Sequence, residues 1–185
     1  MHLVLVHPEI PHNTGCAARL AAALGLPLHL VEPLGFSLED KYLKRAGLDY
    51  WPLVDLVVHA DFDAALRVLA TTSTRPIEAR LRLFTARGGT SLFATDFAPD
   101  DVLVFGCESK GLPPAIVDPR ADRRVYVPIR PAVRSLNLAN VVCLATYTAM
   151  VRAGQPLPDN DGAHTPLPEM KDDVRPLSRT RRIDA

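Results

Sequence analysis

Cysteine is scarce. There are three, Cys16, Cys107 and Cys143, an odd number with no CxxC pair, so neither a disulfide framework nor a zinc site is expected, and no other metal is implied. Charge of one sign is not in excess either. Lysine plus arginine number 21 against 21 aspartates and glutamates. No global positive field then draws the protein to nucleic acid, and any basic surface is a local patch. Long apolar runs are missing, so nothing approaches a membrane span. The opening "MHLVLVHPEIP" lacks the basic stretch and apolar length of a secretory signal. The expectation is a cytoplasmic protein with no membrane contact. At 185 residues and 48% hydrophobic composition, the chain can bury one core without covalent staples.

The common nucleotide motifs are absent as well. No GxGxxG follows the first apolar run, no GxxxxGK[ST] occurs, and there is no GxSxG elbow. A dinucleotide Rossmann site, a P-loop and a serine hydrolase are therefore not supported.

What is present is an alternation. Short runs rich in Val, Leu and Ile begin at Leu3, Leu26, Val54, Leu81, Val102 and Arg124. They are apolar on both faces, as in strands of a parallel sheet covered on both sides. Helical patterns lie between them, which points to an α/β fold. "NTGCAARLAAALG" offers Asn13 as a cap and Gly25 as a stop. "SLEDKYLKRAG" begins with a capping box from Ser37 to Asp40 and ends at Gly47. "DFDAALRVLA" is expected to be capped by Asp61. The last helix runs from about Ser135 to Gly154, with Ser135 as its cap. Asn137 and Asn140 lie three apart near its start and share a face. "VVCLATYTAMV" behind them is apolar nearly all round, which requires burial on all sides, either within one subunit or partly against a second. The chain divides into a domain, 1–153, and a tail, 154–185, rich in proline and charge and read as an extended appendage.

Three polar clusters fall where strands end: "PHNTGCAARLAAALG", "FGCESKGLP" and "VPIRPAVRSLNLAN". In this order, and with "LHLVEPLGF" and "DKYLKRAGLDYW" between them, they resemble the motifs of the SPOUT RNA methyltransferases. The likeness is greatest to the small tRNA 2′-O-methyltransferases of the TrmL type, which modify the wobble nucleotide. It covers about residues 2–153. The resemblance implies a single-domain parallel-sheet fold with a C-terminal trefoil knot, S-adenosylmethionine as cofactor, and a homodimer built through the last helix. It implies methylation of the 2′-hydroxyl of a wobble pyrimidine, with tRNA gripped at its anticodon arm. The rival expectations are the same chemistry at another RNA position, or a non-catalytic RNA-binding factor that keeps the pocket.

Residue roles follow from the same resemblance. Ala86, Gly106, Gly111, Val127, Ser135, Leu136 and Asn140 would bind the cofactor, mostly through backbone. Arg19 would stabilise the developing alkoxide, because a guanidinium keeps its charge and has no acceptor for a proton. Glu108 would orient Arg19 or the helix ends nearby, and Asn13 and Asn137 would hold loops and substrate. Lys41, Lys44, Arg45, Arg130 and Arg134 would meet RNA phosphates. The chain departs from its relatives at Cys16, where they commonly carry Asn, at Cys107, and at Thr148. Both Cys16 and Cys107 are read as buried small hydrophobes.

Overall fold

The computed structural model describes residues 1–38, 51–159 and 181–183. Among these, eight strands form one sheet: β1 (His2–Val6), β2 (Leu28–Val31), β3 (Leu56–His59), β4 (Leu81–Phe84), β5 (Thr90–Ser91), β6 (Val102–Phe105), β7 (Arg124–Tyr126) and β8 (Arg181–Ile183). Their order is β5-β7-β4-β6-β1-β2-β3-β8, and every neighbouring pair is parallel. The α/β parallel-sheet expectation holds. Among the described residues five α-helices accompany the strands: α1 (Pro11–Leu24), α2 (Phe62–Ala70), α3 (Ile77–Arg80), α4 (Pro114–Val117) and α5 (Leu138–Arg152).

The apolar runs are continuous because the sheet is covered on both faces. Successive side chains of a strand point to opposite faces. Leu3 and Leu5 of β1 join the core under α1 and α5, whereas Val4 and Val6 join the core that α2 and α4 cover. Small residues make the first face tight: Ala17, Ala18 and Ala21 of α1 and Ala145 and Ala149 of α5 are all buried in that cluster.

β7 sits between β4 and β5 although only residues 85–89 connect those two strands. The crossing is close. Gly89 has φ 93, and a Cβ there would lie 2.2 Å from the Arg124 carbonyl oxygen, so this position admits only glycine.

Helix ends differ from expectation in two places. α1 starts at Pro11, whose fixed φ suits the first helical position, and its cap is Ile10 with no side-chain bond. Asn13 is therefore inside the helix and does not cap it. At α5 the cap is Asn137, whose side chain accepts from the Asn140 N–H at 3.3 Å. Ser135 lies outside the helix. Gly25 does end α1 in the left-handed conformation, and Asp61 does cap α2, accepting from the Ala64 N–H at 2.6 Å.

Nor is α5 buried all round within one copy. Val142, Ala145, Thr146, Ala149 and Met150 face the core, while Leu144, Tyr147 and Val151 are exposed. The tail returns to the sheet: β8 pairs with β3, and Arg181 bonds Asp55 at 2.9 Å. The helix expected over 37–47, including Lys41, Lys44 and Arg45, falls outside the described residues beyond Leu38.

Candidate active site

Ligands of open parallel sheets bind beyond the carboxyl ends of the strands. Here β4, β6 and β7 end side by side and open into three loops, 85–89, 106–113 and 127–137. Between them lies a cavity of about 570 Å³, within the range of small-molecule sites, ~300–1,000 Å³. Its floor is apolar. Phe84 and Phe105, the last residues of β4 and β6, stack with centroids 4.6 Å apart, and Leu112 and Val127 continue that surface.

The middle loop folds back on itself. Cys107 and Gly111 exchange backbone hydrogen bonds at 2.9 and 3.2 Å, and Gly111 takes φ 72. Gly106 meets this turn so closely that a Cβ would lie 2.0 Å from the Gly111 carbonyl carbon. At Gly106, therefore, main chain packs on main chain with no room for a side chain.

One carboxylate ties the loop to the start of α1. Glu108 accepts from the Glu9 N–H at 2.8 Å, the Ile10 N–H at 3.2 Å and Asn13 Nδ2 at 2.9 Å. Asn13 is buried, and its Oδ1 accepts from Asn137 Nδ2 at 3.0 Å. The amide thus uses both its donor and its acceptor, linking the first, second and third polar clusters. A second clasp runs the other way. The Glu9 carboxylate accepts from the Ser109 N–H at 2.9 Å and its hydroxyl at 2.6 Å, and these bonds hold the Glu9 carboxyl below its ordinary pKa. Arg134 Nη2 donates to the Ser109 carbonyl at 2.8 Å.

The structure brings most of the sequence-selected residues together. Asn13, Glu108, Asn137, Ala86, Gly106, Gly111, Val127, Ser135 and Leu136 all line the cavity. Asn140 does not: it is exposed beyond the lining, and its N–H is taken up in the cap of α5. Arg19 is exposed on α1, also outside the lining. It continues a stripe with His12 and Cys16, whose spacing places them on one helix face, and Cys16 Sγ is 3.7 Å from His12 Nε2. Cys16 and Cys107 are half-buried rather than buried. Of the two arginines expected at RNA phosphates, Arg134 lines the cavity and Arg130 is exposed outside it. Sequence reasoning missed Glu9 and Ser109, since bonds across 100 residues leave no local pattern.

Comparison with known proteins decides the family. The sequence profile of the SpoU rRNA Methylase family matches residues 1–147. The chain belongs to this family. A family relative in Burkholderia pseudomallei (strain 1106a), a tRNA (cytidine(34)-2′-O)-methyltransferase, is 47% identical over 154 residues, 83% of this chain and 96% of its own. Another of the same name, in Polaromonas sp. (strain JS666 / ATCC BAA-500), is 46% identical over 155 residues, 83% of this chain and 91% of its own. A solved structure concerned with the 2-OH methylation of C/U34 on tRNA superposes with a TM-score of 0.75 at 48% identity, covering 83% of this chain and 95% of that one. The SpoU match spans all three loops of the cavity and most of α5, so every element that builds the site is family sequence.

Proposed function

We propose that this protein transfers a methyl group from S-adenosylmethionine to the ribose 2′-hydroxyl of the wobble pyrimidine of tRNA. The observation that carries the reading is the convergence of Ala86, Gly106, Gly111, Val127, Ser135 and Leu136, from three separate loops, on one cavity. The relatives at 46–47% identity and the solved structure at 48%, all concerned with position 34 of tRNA, support the substrate.

The cavity fits the cofactor. The stacked Phe84 and Phe105 rings offer an apolar bed for a flat heterocycle. Gly106, packed directly against the Gly111 main chain, keeps that wall free of a side chain that would narrow the space for the cofactor. Bound there, S-adenosylmethionine supplies a methyl group activated on a sulfonium. The chain's task is alignment and charge stabilisation. Asn13, Glu108 and Asn137 hold the start of α1 against the two cofactor loops. Arg19, two turns along α1 and open to solvent, would meet the ribose of bound tRNA and stabilise charge on its oxygen while the hydroxyl proton passes to solvent water; the guanidinium keeps its own proton throughout.

α5 supports a homodimer. Leu144, Tyr147 and Val151 recur at spacings of three and four and form an exposed apolar stripe, which a second copy would cover. The placement of β7 between β4 and β5 supports a trefoil knot. No helix among the described residues is long and apolar enough to cross a membrane; a tRNA substrate would place the enzyme in the cytoplasm.

Nucleoside mass spectrometry tests the reading. The protein, S-adenosylmethionine and tRNA lacking wobble methylation are incubated, and any new methyl group is mapped. A 2′-O-methylpyrimidine at the wobble site is expected; a methyl group elsewhere overturns the substrate. Arg19→Ala should lower the rate by about 10²–10³-fold, in the range for removing one transition-state donor, with RNA binding largely kept. No methylation by either form, in a protein that binds cofactor and RNA, points to a binding factor.

A further inference from the structure

The loop 127–137 walls the cavity with very little structure of its own. It contains no helix or strand, and residues 131–137 are all exposed. Its internal bond is a turn in which the Val133 N–H donates to the Arg130 carbonyl at 3.0 Å. Among the described residues, three side chains tether it. Asn137 holds its end to Asn13, and Arg134 holds its second half to Ser109. The third tether comes from outside the cavity lining. Arg87 Nη2 donates to the Pro131 and Val133 carbonyls, both at 3.0 Å.

One guanidinium nitrogen carries two N–H groups, and here each meets one carbonyl of the same turn. The strap starts from the 85–89 loop, where the Thr85 hydroxyl donates to the Arg87 carbonyl at 3.0 Å. Ala86, beside it, lines the cavity. Arg87 therefore joins two walls of the pocket without entering it. We infer that Arg87 is a positioning residue for the cofactor, holding the 131–133 turn against the 85–89 loop so that Val127, Ser135 and Leu136 face the cavity together. The inference rests on the proposed cofactor site. Its physical basis is preorganisation: a loop fixed before binding costs less entropy to order when the ligand arrives.

The test compares wild type, Arg87→Ala and Arg87→Lys by calorimetric titration with S-adenosylmethionine, by steady-state kinetics at saturating tRNA, and by trypsin cleavage after Arg134 in the free protein. Arg87→Ala should weaken cofactor affinity about tenfold, as expected for loss of charge-assisted bonds, with the loss falling on KM for the cofactor rather than on kcat. Cleavage after Arg134 should accelerate several-fold, and bound cofactor should slow it again. Lysine keeps a charge and donors without the planar fork, so Arg87→Lys should recover part of both effects. Unchanged affinity and unchanged cleavage overturn the inference, as does a loss confined to kcat. A wild type that binds no cofactor would sink the proposed function instead; the cleavage rates of the free proteins would then still decide the strap, equal rates refuting it.

Discussion

The side-chain amide of Asn13 donates to Glu108 Oε1 at 2.9 Å, joining residues 95 apart in the chain. That bond fixes the start of α1 to the loop after β6. The same carboxylate takes two backbone N–H groups, from Glu9 and Ile10, so it neutralises donors the chain does not satisfy locally. Glu108→Gln replaces one acceptor oxygen with an NH2 that faces those donors. A cost of about 1–3 kcal/mol is expected, the usual penalty for an unmade bond at a partly buried site. Urea unfolding measures it, and Asn13→Ala should show a similar loss that is not additive with the first. Full additivity in the double variant would argue against a shared network.

Gly106→Ala tests the main-chain wall. The new methyl would meet the Gly111 carbonyl carbon at 2.0 Å, a contact that backbone must move to relieve. Binding of S-adenosylmethionine should be lost while circular dichroism still reports the α/β fold. A variant that binds with wild-type affinity would remove Gly106 from the site.

Acid should destabilise the protein through three linked histidines. His2 Nδ1 lies 3.1 Å from His29 Nε2, and His29 Nδ1 lies 2.9 Å from His59 Nε2, crossing β1, β2 and β3 in turn. Burial above all pushes His2 down to about 4 and, together with the neighbouring rings, His29 to about 3, each from an ordinary 6.5. Burial lowers His59 as well, against the opposing charge of Asp61. Below pH 6.5 the unfolded chain then binds more protons than the folded one. Stability is complete above that pH and falls as pH drops through 6.5 towards 4 and 3. His29, 2% exposed, should alone cost about 2 kcal/mol between pH 7 and pH 5. The measurement is the urea midpoint against pH. A flat profile from 7 to 5 contradicts the histidine account, and His29→Leu should reduce the slope.

The exposed stripe on α5 predicts a second contact. Tyr147→Asp combined with Val151→Asp places two charges on it without touching the core face, because both side chains are exposed, Val151 at 61%. Sedimentation should show wild type as a dimer and the double variant as a monomer. A wild type that sediments as a monomer at micromolar concentration would withdraw the dimer.

The alternation of apolar runs and helical patterns was enough to place six of the eight strands, β1, β2, β3, β4, β6 and β7, because a strand buried on both faces must be apolar at nearly every position. β5 and β8 were not legible. Two residues, Thr90–Ser91, carry no periodicity, and "RRI" in β8 is polar because it lies at the sheet edge, where Arg181 answers Asp55. The polar clusters at strand ends were legible, since parallel strands deliver their loops to one edge whatever lies between them. Their partners were not. Asn13 resembles a cap in sequence, yet Pro11 starts the helix before it and frees its amide to reach Glu108 and Asn137. Composition, period and turn chemistry act over a few residues, and they determined the class of fold and where a site could form. Which side chains meet across a hundred residues, and so which loops hold the cavity open, was decided only when the sheet brought those ends together.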